Sequence, residues 1–97
     1  MKEIERIKKE IRNNIQPLKD KYKVKTIGVF GSCVREDQKE GSDVDILIEF
    51  EEPISLLEFM AMERQLSKIL GKKVDLVMKT ALKPRIGRHI LNEVVYI

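Results

Sequence analysis

The sequence predicts an α/β (α+β) domain, one small mixed β-sheet flanked by helices, from three observations. Isoleucines at spacings of three and four open the chain, short apolar runs bounded by turn residues recur later, and a second helical pattern separates two of those runs. The resulting order is helix, strand, strand, helix, strand, helix. A helix between the second and third strands makes them an expected parallel pair, so residues early in each strand are expected to lie side by side. At 97 residues, the chain reads as a single domain over 1–97, too short to add a separate substrate-binding domain. Any large substrate is therefore expected in trans.

Ile4, Ile7, Ile11, Ile15, Leu18 and Tyr22 form the apolar face of the first helix, which Pro17 is expected to kink or split. Lys23 to Phe30 reads as a strand buried increasingly toward its end, and Gly31-Ser32 stops it. Arg35 to Ser42 is a polar loop, after which Asp43 to Phe50 resumes strand character until Glu51, Glu52 and Pro53 end it. Ser55 with Glu58 three residues on is a capping-box pattern. It opens a helix with Leu56, Phe59, Met60, Glu63, Leu66, Ile69 and Leu70 on its mostly apolar face and Gly71 as its C-cap. Lys73 to Met78 is the third strand. Pro84 suits the first turn of a short last helix carrying Ile86, Ile90 and Leu91, and Val94 to Ile97 reads as a brief edge strand.

Composition narrows the function classes. The hydrophobic fraction of 42% suits a globular core, and charged residues at 36% exceed the usual value of about 25%. The net charge of +3 comes from 19 basic and 16 acidic residues interspersed along the chain, which is no nucleic-acid-coating tail. Direct nucleic-acid binding is not expected, whereas a phosphate-bearing ligand is compatible with the small basic excess. A single cysteine, Cys33, excludes an internal disulfide. The charged N-terminal segment lacks a signal-peptide core and no apolar run approaches about 20 residues, so the expectation is a cytoplasmic protein without membrane association.

The chemistry-bearing residues lie at strand ends. Gly31-Ser32-Cys33-Val34-Arg35 directly follows a strand, and a helical turn beginning at Ser32 would direct free N–H groups at a phosphate. A Gly-Ser pair after a strand is more often only a turn, so this motif alone is weak. Asp43-Val44-Asp45 opens the next strand, where a period of two puts both carboxylates on one face about 7 Å apart. Aspartate is disfavoured in strands and like charges repel, so a cation is the natural compensator, although solvated aspartates at a strand start are the plain alternative. Asp75 likewise interrupts the apolar run of the third strand. Three aspartates from adjoining strands offer the hard oxygen ligands Mg²⁺ prefers. Two such ions, about 4 Å apart, would assist an in-line displacement at phosphorus.

Gly31-Ser32, ten residues, then Asp43-Val44-Asp45 resembles the signature of the DNA polymerase beta nucleotidyltransferase superfamily. Phe30-Gly31-Ser32, Arg35 and Ser42-Asp43-Val44-Asp45-Ile46 are similar to its minimal nucleotidyltransferase (MNT) branch. The resemblance spans nearly the whole chain and implies a polymerase-beta-like nucleotidyltransferase fold. It further implies that Gly31, Ser32 and Arg35 bind nucleotide. Asp43, Asp45 and Asp75 would bind Mg²⁺ as the catalytic set, with Asp75 able to take the hydroxyl proton. Short members of this branch resemble antitoxins that transfer AMP from ATP to a tyrosine of a HEPN-domain toxin, so a HEPN partner is the expected acceptor. The stretch Glu36-Asp37-Gln38-Lys39-Glu40 departs from the glycine-rich loops common there.

Two rival readings are a transferase acting on a small molecule, which chain length disfavours, and a non-enzymatic antitoxin, for which three site aspartates have no evident use. Cys33 reads as small-residue packing, His89 as a surface residue, Met60 and Met62 as core, and Lys79, Lys83, Arg85 and Arg88 as a solvated basic face.

Overall fold

The isoleucine stripe folds into α1 (Glu3–Tyr22), where Ile7, Ile11, Ile15, Leu18 and Tyr22 are buried. The computed structural model describes residues 3–31, 34 and 43–97. Pro17 does not split α1. Proline inside a helix costs about 3 kcal/mol through a lost hydrogen bond and a clash. Ile15, Leu18 and Tyr22 are buried on both sides of it, and at about 1.5–3 kcal/mol for each large apolar side chain that cost is outweighed. Lys23 ends the helix in the left-handed region at φ 57°, so the strand starts one residue later than predicted.

The remaining elements are β1 (Val24–Phe30), β2 (Val44–Phe50), α2 (Leu56–Leu70), β3 (Val74–Met78), a 3₁₀ turn (Lys79–Ala81), α3 (Pro84–Glu93) and β4 (Val95–Tyr96). Both arms of the predicted capping box are made at α2: the Glu58 N–H donates to Ser55 Oγ at 3.1 Å, and the Ser55 N–H to Glu58 Oε1 at 3.4 Å. Gly71 closes the same helix at φ 66°. Pro84 occupies the first turn of α3 as predicted.

The sheet order is β3-β2-β1-β4, with β1 antiparallel to β2 and β4, and β2 parallel to β3 as the helical crossover requires. The helices α1 and α2 pack on one face, where Ile27, Val29, Val44, Ile46, Ile48, Val74 and Leu76 join Ile7, Ile11, Met62 and Leu66 in one core. Met62 is fully buried, but Met60 is 44% exposed, contrary to expectation, because it lies off the stripe Met62, Leu66, Leu70 that meets the sheet. Alternation turns Phe30, Asp45, Leu47, Asp75 and Val77 to the other face.

The edge strand β3 is closed by side chains of α2. The Val74 N–H donates to Ser67 Oγ at 3.0 Å and the Leu76 N–H to Glu63 Oε2 at 2.9 Å. Unpaired edge N–H groups invite association, and these bonds occupy two of them. Glu63 thus has a structural use that its place on a mostly apolar face did not suggest. Among the described residues, no helix is long and apolar enough to cross a membrane.

Candidate active site

Antiparallel pairing brings the C-terminal end of β1 to the N-terminal ends of β2 and β3. At that sheet end Phe30 pairs with Asp45, and Asp45 pairs in parallel register with Asp75. Two of the three predicted carboxylates therefore stand on adjacent strands and the same face. Asp43 immediately precedes β2 and is half-buried, 3.9 Å from Lys73 Nζ. That lysine is 81% exposed, so the pair is weak. Asp45 is half-buried and Asp75 exposed.

Gly31 turns the chain at φ 79°. A Cβ there would run into Asp45 Oδ2, so the backbone sits directly against that carboxylate and a larger residue would have to displace it. The Val34 N–H donates to the Gly31 carbonyl at 3.1 Å, while the helical turn expected to begin at Ser32 lies outside the described residues. The site assignments for Ser32 and Arg35, the packing reading of Cys33, and the polar loop from Arg35 to Ser42 fall outside the described residues.

Sequence reasoning missed Glu93. Its Oε1 accepts the Gly31 N–H at 2.7 Å, across 62 positions of chain. The available signal was an acid in the last turn of α3, where the negative end of the helix dipole disfavours it. His89 lies 3.8 Å from Glu93 with a side chain 78% exposed, as its surface reading anticipates. In the basic C-terminal region Lys83, Arg85 and Arg88 are exposed as expected, but Lys79 is half-buried, 3.8 Å from Glu49 and 5.9 Å from the Tyr96 ring centroid.

Among the described residues, no three His, Cys, Asp or Glu side chains close around one point. The aspartates instead form a row: Asp45 beside Asp75, with Asp43 two positions before Asp45. An all-carboxylate set at a sheet end suits a hard cation sharing its coordination with water and phosphate.

Comparison with known proteins places the chain in a family. Residues 4–97 match the family described as "Nucleotidyltransferase domain". The protein adenylyltransferase MntA of Thermococcus cleftensis is 48% identical over 94 residues, which cover 97% of this chain and 95% of that protein. A solved structure provisionally described as a minimal nucleotidyltransferase superposes with a TM-score of 0.79 at 32% identity, covering 95% of this chain and 93% of that one. A tri-AMPylated Shewanella oneidensis HEPN toxin in complex with an MNT antitoxin provides a more distant match. Its TM-score is 0.62 at 20% identity, over 97% of this chain and 67% of that one, a likeness of fold.

Proposed function

The chain belongs to the nucleotidyltransferase domain family, and on that premise we propose that it transfers AMP from ATP to a tyrosine hydroxyl of a HEPN-type toxin and so acts as an antitoxin. The observation that carries this reading is Asp45 beside Asp75 at the sheet end, with Gly31 directly against the Asp45 carboxylate. The name of the Thermococcus relative supports a protein acceptor, and the tri-AMPylated complex supports a HEPN toxin as that acceptor.

In this reading Gly31, Ser32 and Arg35 hold the triphosphate, with the glycine letting phosphate approach the backbone. The acceptor oxygen attacks the α-phosphorus, the bond from that phosphorus to the bridging oxygen of the β-phosphate breaks, and pyrophosphate leaves. The hydroxyl proton passes to the Asp75 carboxylate, which is exposed and able to exchange it with water. Asp43, Asp45 and Asp75 would hold Mg²⁺, which when bound supplies positive charge to the phosphate oxygens.

Incubating the protein with its toxin, ATP and Mg²⁺ should raise the toxin's mass by whole adenylyl groups. The modified toxin should stay inactive after this protein is removed, because a phosphodiester outlasts the contact that made it. An unchanged toxin mass, with neutralisation intact, would overturn the enzymatic reading in favour of simple binding.

A further inference from the structure

The last turn of α3 reaches the turn that follows β1, and the contact is built from both sides. On one side, the Val94 N–H closes α3 by donating to the Ile90 carbonyl at 2.9 Å. Val95 then pairs with Val29 and Tyr96 with Gly28, so β4 lies along β1 and delivers Glu93 beside Gly31. On the other side, Gly31 is left-handed, sits against the Asp45 carboxylate, and receives Val34 on its carbonyl. Its N–H goes to Glu93, whose side chain is only 17% exposed.

Two features argue against a merely incidental contact. An acid in the last turn of a helix opposes the helix dipole, and a carboxylate near an anionic substrate repels it. Both effects are unfavourable. A charge-assisted bond to a backbone N–H is roughly twice as strong as a neutral one, which suits the fixing of a glycine whose backbone is otherwise free to adopt many conformations.

We propose that Glu93 is a positioning residue for the transfer reaction: its carboxylate holds Gly31 in the turn that sets the phosphate-binding backbone against Asp45. The inference rests on the nucleotidyltransferase reading above. Glu93 acts through Gly31, with no contact to the reacting atoms required. Small misplacements of binding groups are costly to transfer rates, so a lost anchor registers in catalysis before it registers in folding.

The test compares Glu93→Ala with Glu93→Gln, which keeps an oxygen acceptor. Transfer kinetics with varied ATP, binding of a nonhydrolysable ATP analogue with Mg²⁺, thermal melts, and the amide resonance of Gly31 are measured on each. Glu93→Ala should lower kcat/KM for ATP about tenfold or more, and Glu93→Gln should recover to within about threefold of the parent. Toxin binding should not change. The Gly31 amide proton should move upfield in the alanine variant and stay near its parent position in the glutamine variant.

Parent-like kinetics in Glu93→Ala would overturn the positioning role alone. So would equal losses in both variants that track the fall in melting temperature. A Gly31 amide that does not move would overturn the contact itself, whatever the activity. A parent that neither binds the analogue nor transfers AMP would overturn the functional reading, and with it the role of Glu93 toward nucleotide.

Discussion

Two glutamates in this molecule do the same chemistry for different ends. Glu63 of α2 accepts the Leu76 N–H at 2.9 Å, and Glu93 of α3 accepts the Gly31 N–H at 2.7 Å. The first bond lies at the edge of a regular strand, beneath a helix anchored by the buried Met62 and Leu66. The second lies at a left-handed turn against a site aspartate. The identity of the bond therefore says little about its use. What surrounds the donor decides it: a donor within a strand has one role, to be satisfied, whereas a donor at a turn also fixes where the turn's other groups point.

That contrast is sharpest where chemistry and folding should separate completely. Replacing Asp43 and Asp45 together by alanine is expected to abolish AMP transfer while the protein still folds, because removing neighbouring carboxylates relieves like-charge repulsion. Toxin mass after incubation with ATP and Mg²⁺, alongside a thermal melt, measures both. Full transfer by the double variant would sink the assignment of the aspartates.

Local signals in the sequence carried most of the fold. The Ser55/Glu58 capping box and Gly71 cap act within three or four residues, so their chemistry is visible in a short window. The parallel pairing of β2 with β3 followed from the helix between them, and it aligned Asp45 with Asp75. Nonlocal facts were not legible. Pro17 stays inside α1 because the sheet buries residues on both sides of it, and Glu93 meets a partner 62 positions away. Glu63 was hidden for a related reason: as one acid on an apolar stripe, it gains its partner only when β3 docks beside α2.

Gly31→Ala should cause the next largest effect and is expected at both levels. The left-handed conformation costs a non-glycine residue about 1–2 kcal/mol, and the new Cβ would collide with Asp45 Oδ2. Transfer should fall sharply and the melt should drop. Because the collision is with one side chain, Asp45→Ala should reduce the stability cost of Gly31→Ala, a coupling a double-mutant cycle reads directly. Strict additivity of the two changes would show that Gly31 is not packed against that carboxylate.

Glu63→Ala belongs to the opposite class. It strands the Leu76 N–H, at a cost of about 1–3 kcal/mol in urea unfolding, with transfer per folded molecule unchanged. Glu63→Gln keeps an acceptor and should cost distinctly less. A transfer defect in Glu63→Ala, at temperatures where it is fully folded, would erase the distinction between the two glutamates.

A third glutamate marks the small end of the scale. Glu3 Oε1 takes Arg6 Nη2 at 2.7 Å and Lys72 Nζ at 2.9 Å, tying the start of α1 to the turn before β3. The Arg6 hydrogen bond first, and the Lys72 one second, lower its pKa from an ordinary 4.5 to about 2. A carboxylate depressed in the folded state contributes stability that is fully present above 4.5 and is lost as pH falls through about 2. The side chain is 34% exposed, so solvent screening reduces the contribution to about 0.5–1 kcal/mol. The stability difference between the parent and Glu3→Gln should therefore be constant near neutrality, shrink below 4.5, and vanish near 2. It should also weaken in about 1 M salt, where the screening length is about 3 Å, unlike the Glu63 effect, which comes from an unsatisfied N–H. A gap that persists unchanged down to pH 2 would mean that Glu3 stabilises by packing rather than by charge.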